Sequence, residues 1–374
     1  MLLKEIEQVA KISKSILKSK KAKVLAQFDA DGLSSAAIIS KTLARENFNF
    51  ELSILKQLSS ECIQNLHVTE DDFLFLLDFG SGQLPLLEEI LNKTNVLVLD
   101  HHKPKNFFHM NLFHINPLLF VEEELSSSII SYFFAKFFNP RNVDLVDLAV
   151  IGAVADSADE GWKFTGLAKK VLEEAQTLGK ISTSKGLRLY GRTTRPLYKS
   201  LAYTFDPFIP EISGSESNAI QFLSELGIRL KDNDTWLTLN DLGIEEQQRL
   251  ASAILLQRLH EDGAENIFGE IHSLLGRPEE FQDAREFATV VNACGRTGHP
   301  EIGLRLLLGD YSVLEKSYEI MENYRRMLYD SLNWLRENQQ AIVSSDVATF
   351  VLAQEKISDS IIGTVTSMIL KSDL

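Results

Sequence analysis

Carboxylate and imidazole side chains stand in this sequence at the points where short apolar runs end. The residues concerned are Asp29 and Asp31 after VLAQF, Asp78 after FLFLL, Asp100, His101 and His102 after VLVL, and Asp156 after DLAVIGAVA. Packed together, such carboxylates would repel one another, and some would have to bind protons. Divalent cations remove this repulsion, and oxygen ligands with one imidazole suit Mn²⁺ or Mg²⁺ better than a structural zinc ion.

Two such ions can share a bridging carboxylate and lie ~3.5–4 Å from each other. Such a pair activates water and binds a phosphate ester. The sequence therefore predicts phosphoester hydrolysis. Single residues of the set also have structural explanations. Asp31 could cap a helix that begins at Ser34, and Asp100 with His101 could form a hydrogen-bonded pair that fixes a turn. Two adjacent histidines directly after four apolar residues are harder to explain by packing, and the whole set favours a metal centre.

The elements that must position these residues follow from the alternation of apolar runs with helical stretches. Such alternation is typical of βαβ units and predicts an α/β fold with a mostly parallel sheet flanked by helices. In open sheets of this kind, ligands bind beyond the carboxyl ends of the strands. We therefore expect the acids to converge at one edge of the sheet. The segment that precedes Asp156 is an apolar helix or another buried element.

The remaining chain is mostly helical by its periodicity. We predict a catalytic domain at 1–165 and a helical continuation at 166–310, which contains an inserted region around 218–280. A linker helix at 311–340 and a C-terminal piece at 341–374, first strand-like and then helical, complete the chain.

Charge and cysteine content limit the possible classes of protein. The 52 acidic residues outnumber the 38 basic ones, which gives a net charge of −14. This charge argues against non-specific coating of nucleic acid, but not against a local basic channel or a metal-bridged phosphate site. Two cysteines are too few for a disulfide framework, and no signal-peptide core or transmembrane run is present. We expect a cytoplasmic protein without a membrane partner.

The segments FDADG, LDFGSG, LDHHKP and GAVADSAD, in this order, resemble the four motifs of the DHH phosphoesterase superfamily, which includes the RecJ nucleases. YGRTTRPL, FDPFIPEISG and EFATVVNACGRTGHPEIGL resemble the archaeal RecJ homologues known as GINS-associated nucleases. The resemblance covers the whole chain. It implies that the N-terminal domain is a DHH domain and that the C-terminal piece is the start of an incomplete DHHA1-like domain.

The resemblance also implies roles for the metal ligands. Asp29 would bind one ion and Asp31 the other, Asp78 would bridge both, and His101 and Asp156 would complete the second site. A histidine shortly before the first aspartate, a ligand in many members, is missing here, although Gln27 could reach the ion as a weaker donor.

Further roles concern the substrate. By the same resemblance, His102 lies beside the scissile phosphate and Asp100 orients the histidine pair. Arg296 would contact the phosphate backbone or a 5′ end with support from Asn292, although a salt bridge to Glu286 or Glu301 would explain it nearly as well. Arg192 could also face DNA, whereas we expect Arg195 in a solvated bend.

Together these features predict a metal-dependent, single-strand-specific exonuclease of DNA replication or repair. It would act 5′-to-3′ on single-stranded DNA, or on RNA, with two Mn²⁺ ions or Mg²⁺, and its partners would be the GINS complex and the replicative helicase. One alternative is a phosphodiesterase of short oligonucleotides or cyclic dinucleotides. The other is a non-catalytic replisome scaffold bound to GINS.

Overall fold

The structure, a computed structural model of the chain, describes residues 1–120, 125–156, 163–204, 207–261, 263–345 and 347–370. Parts of two sequence motifs, 157–159 of GAVADSAD and 205–206 of FDPFIPEISG, lie outside the described residues. The chain forms two compact units: Met1–Ser182 with His272–Met321, and Thr183–Ile271 with Glu322–Leu374. Among the described helices, none is both long and apolar enough to cross a membrane.

A five-stranded sheet forms the centre of the first unit in the described part of the chain. Its strands are β1 (Lys21–Gln27), β2 (Phe50–Leu55), β3 (Asp72–Leu77), β4 (Val96–Leu99) and β5 (Leu112–Ile115). Their spatial order is β2-β1-β3-β4-β5, and every neighbouring pair is parallel. β3 and β4 are buried along their whole length, as parallel strands covered on both faces should be. The predicted α/β fold is confirmed.

Helices cover both faces of this sheet. In chain order, the helices are α1 (Leu2–Ile16), α2 (Ala30–Arg45), α3 (Ser60–Asn65), α4 (Glu88–Leu91), α5 (Ser127–Phe138), α6 (Val146–Ala155), α7 (Gly166–Thr177), α8 (Leu197–Ala202), α9 (Glu216–Glu225), α10 (Ile244–Gln257), α11 (Ala284–Arg296), α12 (Pro300–Leu307), α13 (Leu314–Glu337) and α14 (Ile362–Leu370). On one face, the ring of Phe75 in β3 lies 6.2 Å from that of Phe134 in α5. On the other, Leu74 and Leu76 pack with Ile90 of α4.

Helix α6 is the buried element that leads to Asp156. Its sequence VDLAVIGAVA is apolar at nearly every position, and a helix that is hydrophobic all round belongs in the interior. It packs against α2, α5, α7 and α11. The apolar segment before Asp156 is therefore a helix, and Asp156 follows directly at its C-terminal end.

The second unit has a hydrophobic core of its own. Leu201 of α8, Leu223 of α9, and Leu250 and Ile254 of α10 are fully buried in one cluster. Outside the five-stranded sheet, three short strand pairs are described: β6 (Ile181–Leu187) with β9 (Phe268–Leu274), β7 (Lys231–Asp232) with β8 (Thr235–Trp236), and β10 (Ile342–Ser344) with β11 (Thr349–Val351).

Candidate metal centre

The turn after β1 supplies the first two carboxylates. Helix α2 begins at Ala30, and Asp29 is its N-cap, with Oδ1 accepting a hydrogen bond from the Gly32 amide at 3.0 Å. The prediction that Asp31 caps a helix beginning at Ser34 is therefore wrong. Because the helix starts four residues earlier, Asp31 lies in its first turn and is buried.

Asp31 points its carboxylate at the start of another helix. Its Oδ2 accepts from the amide of Ser127 at 2.7 Å, and its Oδ1 accepts from Ser128 at 3.0 Å, in the first turn of α5. Burial raises the pKa of Asp31, although His101 and the hydrogen bond from Ser128 act in the opposite direction. α6 passes so close that a Cβ at Gly152 would lie 2.7 Å from Oδ1 of Asp31.

Asp78 follows β3 in the left-handed backbone conformation, with φ at +66°. Its side chain is only 1% exposed, and among the described residues its Oδ1 has no hydrogen-bond partner. Burial raises the pKa of Asp78 well above its usual range, and the charges of Asp29, Asp31, Asp100 and Asp156 raise it further. A buried carboxyl surrounded by other acids is the environment that a bound cation would stabilise.

His101 lies between the carboxylates. Its Nε2 is 3.4 Å from Oδ1 of Asp78 and 3.5 Å from Oδ2 of Asp156. The potential ligand atoms of Asp31, His101 and Asp156 lie within 4.8 Å of one another, as do those of Asp78, His101 and His102. Within each of these two sets of three residues, the distances allow the side chains to bind one ion after small movements.

Asp100 organises the turn that carries both histidines. Its Oδ1 accepts hydrogen bonds from the amides of His101 (2.8 Å) and His102 (3.2 Å) and from Nδ1 of His102 (2.8 Å), and Oδ2 accepts from the amide of Ser81 (2.8 Å). Burial alone would raise the pKa of Asp100, but these bonds, with the ring of His102 foremost, lower it to about 2. The bond to Asp100 in turn raises the pKa of His102, whose side chain is 51% exposed.

Two residues that the sequence analysis did not single out support the same turn. Asn116 donates from Nδ2 to the carbonyl of His102 at 2.7 Å and to Oγ of Ser81 at 2.9 Å. Both Asn116 and Ser81 are fully buried. Ser81 lies within LDFGSG and could have been suspected, whereas Asn116 lies 14 residues beyond the histidines and carries no such signal.

The NACGR segment lies in α11 and contacts the turn that carries Asp29. Oδ1 of Asn292 accepts from the amide of Ala30 at 2.8 Å. A Cβ at Gly295 would lie 1.8 Å from the carbonyl oxygen of Phe28, so only glycine allows this close approach of α11. Arg296, the last residue of α11, follows this contact directly.

The arginines of YGRTTRPL belong to the second unit. Nη2 of Arg192 is 3.4 Å from Oδ1 of Asn240. The guanidinium of Arg195 stacks on the ring of Tyr190 at 4.4 Å and lies 5.4 Å from the ring of Tyr203. Arg195 is only 9% exposed, so the expectation of a solvated bend is wrong for this side chain.

The side-chain amide of Gln27, the last residue of β1, lies against two of the carboxylates. When the amide is oriented so that its nitrogen faces these acceptors, it donates to Oδ2 of Asp78 at 2.8 Å and to Oδ2 of Asp29 at 3.0 Å. The donor set around Asp78, with four carboxylates and one imidazole, suits hard divalent cations such as Mn²⁺ or Mg²⁺. Oδ1 of Asp78, for which the described part of the chain provides no hydrogen-bond donor, is the atom that such an ion would satisfy.

Comparisons with known proteins identify the family of the chain. The family model for the N-terminal domain of the DHH family matches residues 23–153, and the model for the DHH-CID domain matches residues 189–271. The uncharacterized protein MJ0831 of Methanocaldococcus jannaschii is 30% identical over 348 residues, which cover 88% of this chain and 74% of that protein. The chain belongs to the DHH family.

Solved structures with the same fold include an exonuclease RecJ and a CDC45 protein. A manganese-bound exonuclease RecJ superposes with a TM-score of 0.57 at 18% identity, covering 99% of this chain and 77% of that one. CDC45 from Entamoeba histolytica superposes with a TM-score of 0.64 at 15% identity, covering 93% of this chain and 78% of that one. The first relative is described as an exonuclease with a bound metal, and at these identities both comparisons establish the fold.

Proposed function

We propose that this protein is a metal-dependent exonuclease that hydrolyses phosphodiester bonds in single-stranded DNA or RNA. The observation that carries the proposal is the buried Oδ1 of Asp78, which lies beside His101 and has no hydrogen-bond partner among the described residues, at the edge of the sheet where three further carboxylates converge. Packing alone gives no reason to bring four carboxylates together, with Asp31 and Asp78 buried among them, because each adds to the repulsion. The fold shared with manganese-bound RecJ supports the same function.

The proposed mechanism assigns the ligands to two ions. Asp31, His101 and Asp156 would hold one ion, Asp29 would hold the other, and Asp78 would bind both. Bound Mn²⁺ or Mg²⁺ would supply an activated water and neutralise charge on the phosphate.

The remaining chemistry belongs to the His102 ring. Asp100 fixes this ring through Nδ1. Nε2 of the half-exposed ring is then available to donate a proton to the leaving oxygen, or a hydrogen bond to a non-bridging oxygen. A ring held in one orientation by a buried carboxylate loses little freedom when the substrate binds.

The substrate contacts that we propose are Arg296, with Asn292 beside it, and Arg192. Arg296 would bind the strand at a backbone phosphate or at the 5′ end, which would favour digestion in the 5′-to-3′ direction. A guanidinium suits this role because it binds phosphate oxygens in a bidentate manner.

The decisive assay uses single strands labelled at either end, with Mn²⁺, Mg²⁺ or EDTA. We expect stepwise shortening from the 5′ end with Mn²⁺, weaker shortening with Mg²⁺, and none with EDTA or in the Asp78→Asn variant. A ladder of chain lengths separates the exonuclease from a short-substrate phosphodiesterase, because only the latter would prefer dinucleotides. The absence of hydrolysis with either metal would contradict the proposal.

A second candidate function is a non-catalytic replisome scaffold. The fold shared with CDC45 favours it, as does the side-chain amide of Gln27, which lies against two of the carboxylates and can donate to both. In this case the purified protein would bind GINS but would not hydrolyse single strands at any Mn²⁺ concentration.

In either case we propose that GINS recruits the protein to the replicative helicase through the second unit, around residues 218–280. Helix α10 exposes Ile244 and Leu256 to solvent there. Leu256→Lys should weaken capture by immobilised GINS at least about tenfold, because a charge would enter an apolar contact. Phe108→Lys changes an even more exposed apolar residue of the first unit and should leave capture unchanged.

A further inference from the structure

The two oxygens of Asp78 lie in different surroundings. The side-chain amide of Gln27 lies against Oδ2 of Asp78 and Oδ2 of Asp29, which are both acceptors, so its nitrogen rather than its oxygen should face them in the metal-free protein; in that orientation it donates a hydrogen bond to each. Oδ1 lies toward His101 and has no hydrogen-bond partner among the described residues. One neutral amide therefore contacts both acids on one side of Asp78, while the other side lacks a donor of this kind.

An amide between two carboxylates partly replaces a cation. An –NH₂ group has two donor hydrogens, which is the number that these two oxygens require. Hydrogen bonds to ionised acceptors are roughly twice as strong as bonds between neutral groups. An ion that binds between Asp29 and Asp78 must break these bonds, since the lone pair of a neutral amide nitrogen is delocalised into the carbonyl group and does not bind a metal ion. An ion held by Asp31, His101 and Asp156 breaks none of them.

We infer that Gln27 makes the two metal positions unequal, so that the protein binds one divalent ion tightly and the second only weakly. The tight position is formed by Asp31, His101 and Asp156, and the weak one lies between Asp29 and Asp78. Occupancy of the weak position then depends on the free Mn²⁺ concentration, which makes Gln27 an affinity-setting residue of the centre. This inference rests on the metal centre of the proposed function.

The opposing possibility is that the amide rotates and binds the ion through Oε1. In the metal-free protein, this rotation would place the amide oxygen against two carboxylates, and these groups repel one another. A bound cation would instead attract the amide oxygen and so favour the rotated orientation. In this case Gln27 would help the second ion to bind. The two possibilities predict opposite effects for removal of the amide.

The test is a calorimetric titration of the metal-free full-length chain with MnCl₂ near neutral pH, with free Mn²⁺ followed by electron paramagnetic resonance. For the wild type we expect two binding events whose Kd values differ at least about tenfold, equivalent to about 1.4 kcal/mol. Gln27→Met keeps the length of the side chain and removes its donor. It should tighten the weak event about three- to tenfold and leave the tight event within about twofold.

Two further variants assign the events and guard against misfolding. Asp156→Asn should abolish the tight event and keep the weak one. Gln27→Glu offers a charged ligand in place of the donor and should also tighten the weak event. Melting curves of the metal-free variants identify any that do not fold, and either Gln27 variant alone is sufficient for the test.

Three results would overturn the inference. Two equal events in the wild type would show that Gln27 does not distinguish the positions. A weaker second event in Gln27→Met would identify the amide as a ligand. If the wild type binds no Mn²⁺, the metal centre of the proposed function is itself wrong. This outcome can be distinguished from the other two, because Asp156→Asn would then have no effect on the titration.

Discussion

The carboxyl group of Asp78 lies among four other acids, and one of its oxygens is unpaired in the described part of the chain. We expect Asp78→Asn to lower hydrolysis to less than about 1% of the wild type, because a shared ligand of both ions is lost. Asparagine is a better choice than alanine because it tolerates the left-handed backbone at this position. The metal-free variant should melt at the same or a higher temperature, since repulsion among the acids falls. Activity well above that level would show that Asp78 does not bridge two ions.

His102 distinguishes the nuclease from the scaffold. His102→Ala should lower kcat by roughly 10²–10⁴-fold, the usual range for a lost general acid. The melting temperature and Mn²⁺ content should change little, because the side chain is half-exposed and Asp100 keeps three backbone donors. In a scaffold the ring would only stabilise the turn. A large decrease in melting temperature with unchanged turnover would therefore favour the scaffold.

At the scale of single residues, the sequence identified groups that chain geometry brings together. Acids placed after apolar runs converge because parallel strands end at one edge, a rule that needs no knowledge of side-chain packing. The stack of Arg195 on Tyr190 and the bond from Asn116 to the His102 carbonyl depend on how loops fold over one another. No local sequence pattern predicts such contacts.

At the scale of elements, α11 holds the turn that carries Asp29. The amide of Ala30 is one of the first helical N–H groups, which have no partner within their own helix, and Asn292 satisfies it. Asn292→Ala should weaken Mn²⁺ binding about 10–100-fold, the usual cost of losing a group that orients a ligand. Asn292→Asp keeps the acceptor and should restore most of the affinity. Asn218→Ala removes a comparable amide from the second unit as a control. Equal loss in both Asn292 variants would argue against a positioning role.

The periodicity of apolar residues predicted the positions of helices along the chain better than it predicted which of their side chains are buried. In the first 20 residues the apolar side chains have helical spacing, which predicts one buried stripe of Leu3, Ile6, Val9, Ile12, Ile16 and Leu17. In the structure Ile6 and Val9 are buried, as is Leu17 just after α1, together with Leu2, whereas Ile12 is 42% exposed. The face is rotated slightly because α1 packs on α5, and small residues such as Ala10 and Ser13 fill that contact. The helix that packs against an amphipathic stripe determines which of its residues are buried. The position of that neighbouring helix cannot be predicted from the local sequence.

At the scale of the whole molecule, the net charge of −14 sets how the protein can bind a polyanion. An acidic surface repels phosphate at long range, so affinity must come from a few local contacts and from bound cations. This is compatible with the proposed roles of Arg296 and Arg192, and with recruitment by a protein partner.

The salt dependence of strand binding tests this view of the molecule. Each phosphate contact with a single strand contributes about −0.7 to the slope of log K against log salt. With about three contacts we expect a slope near −2, or a loss of less than about twentyfold between roughly 50 and 200 mM salt. Anisotropy of a labelled strand on the Asp78→Asn variant avoids hydrolysis during the measurement. Arg296→Gln should make the slope shallower by about 0.7, whereas Lys4→Gln, which removes an equal charge from exposed Lys4 in α1, should leave it unchanged. A slope steeper than about −5 would mean that a broad basic surface binds the strand.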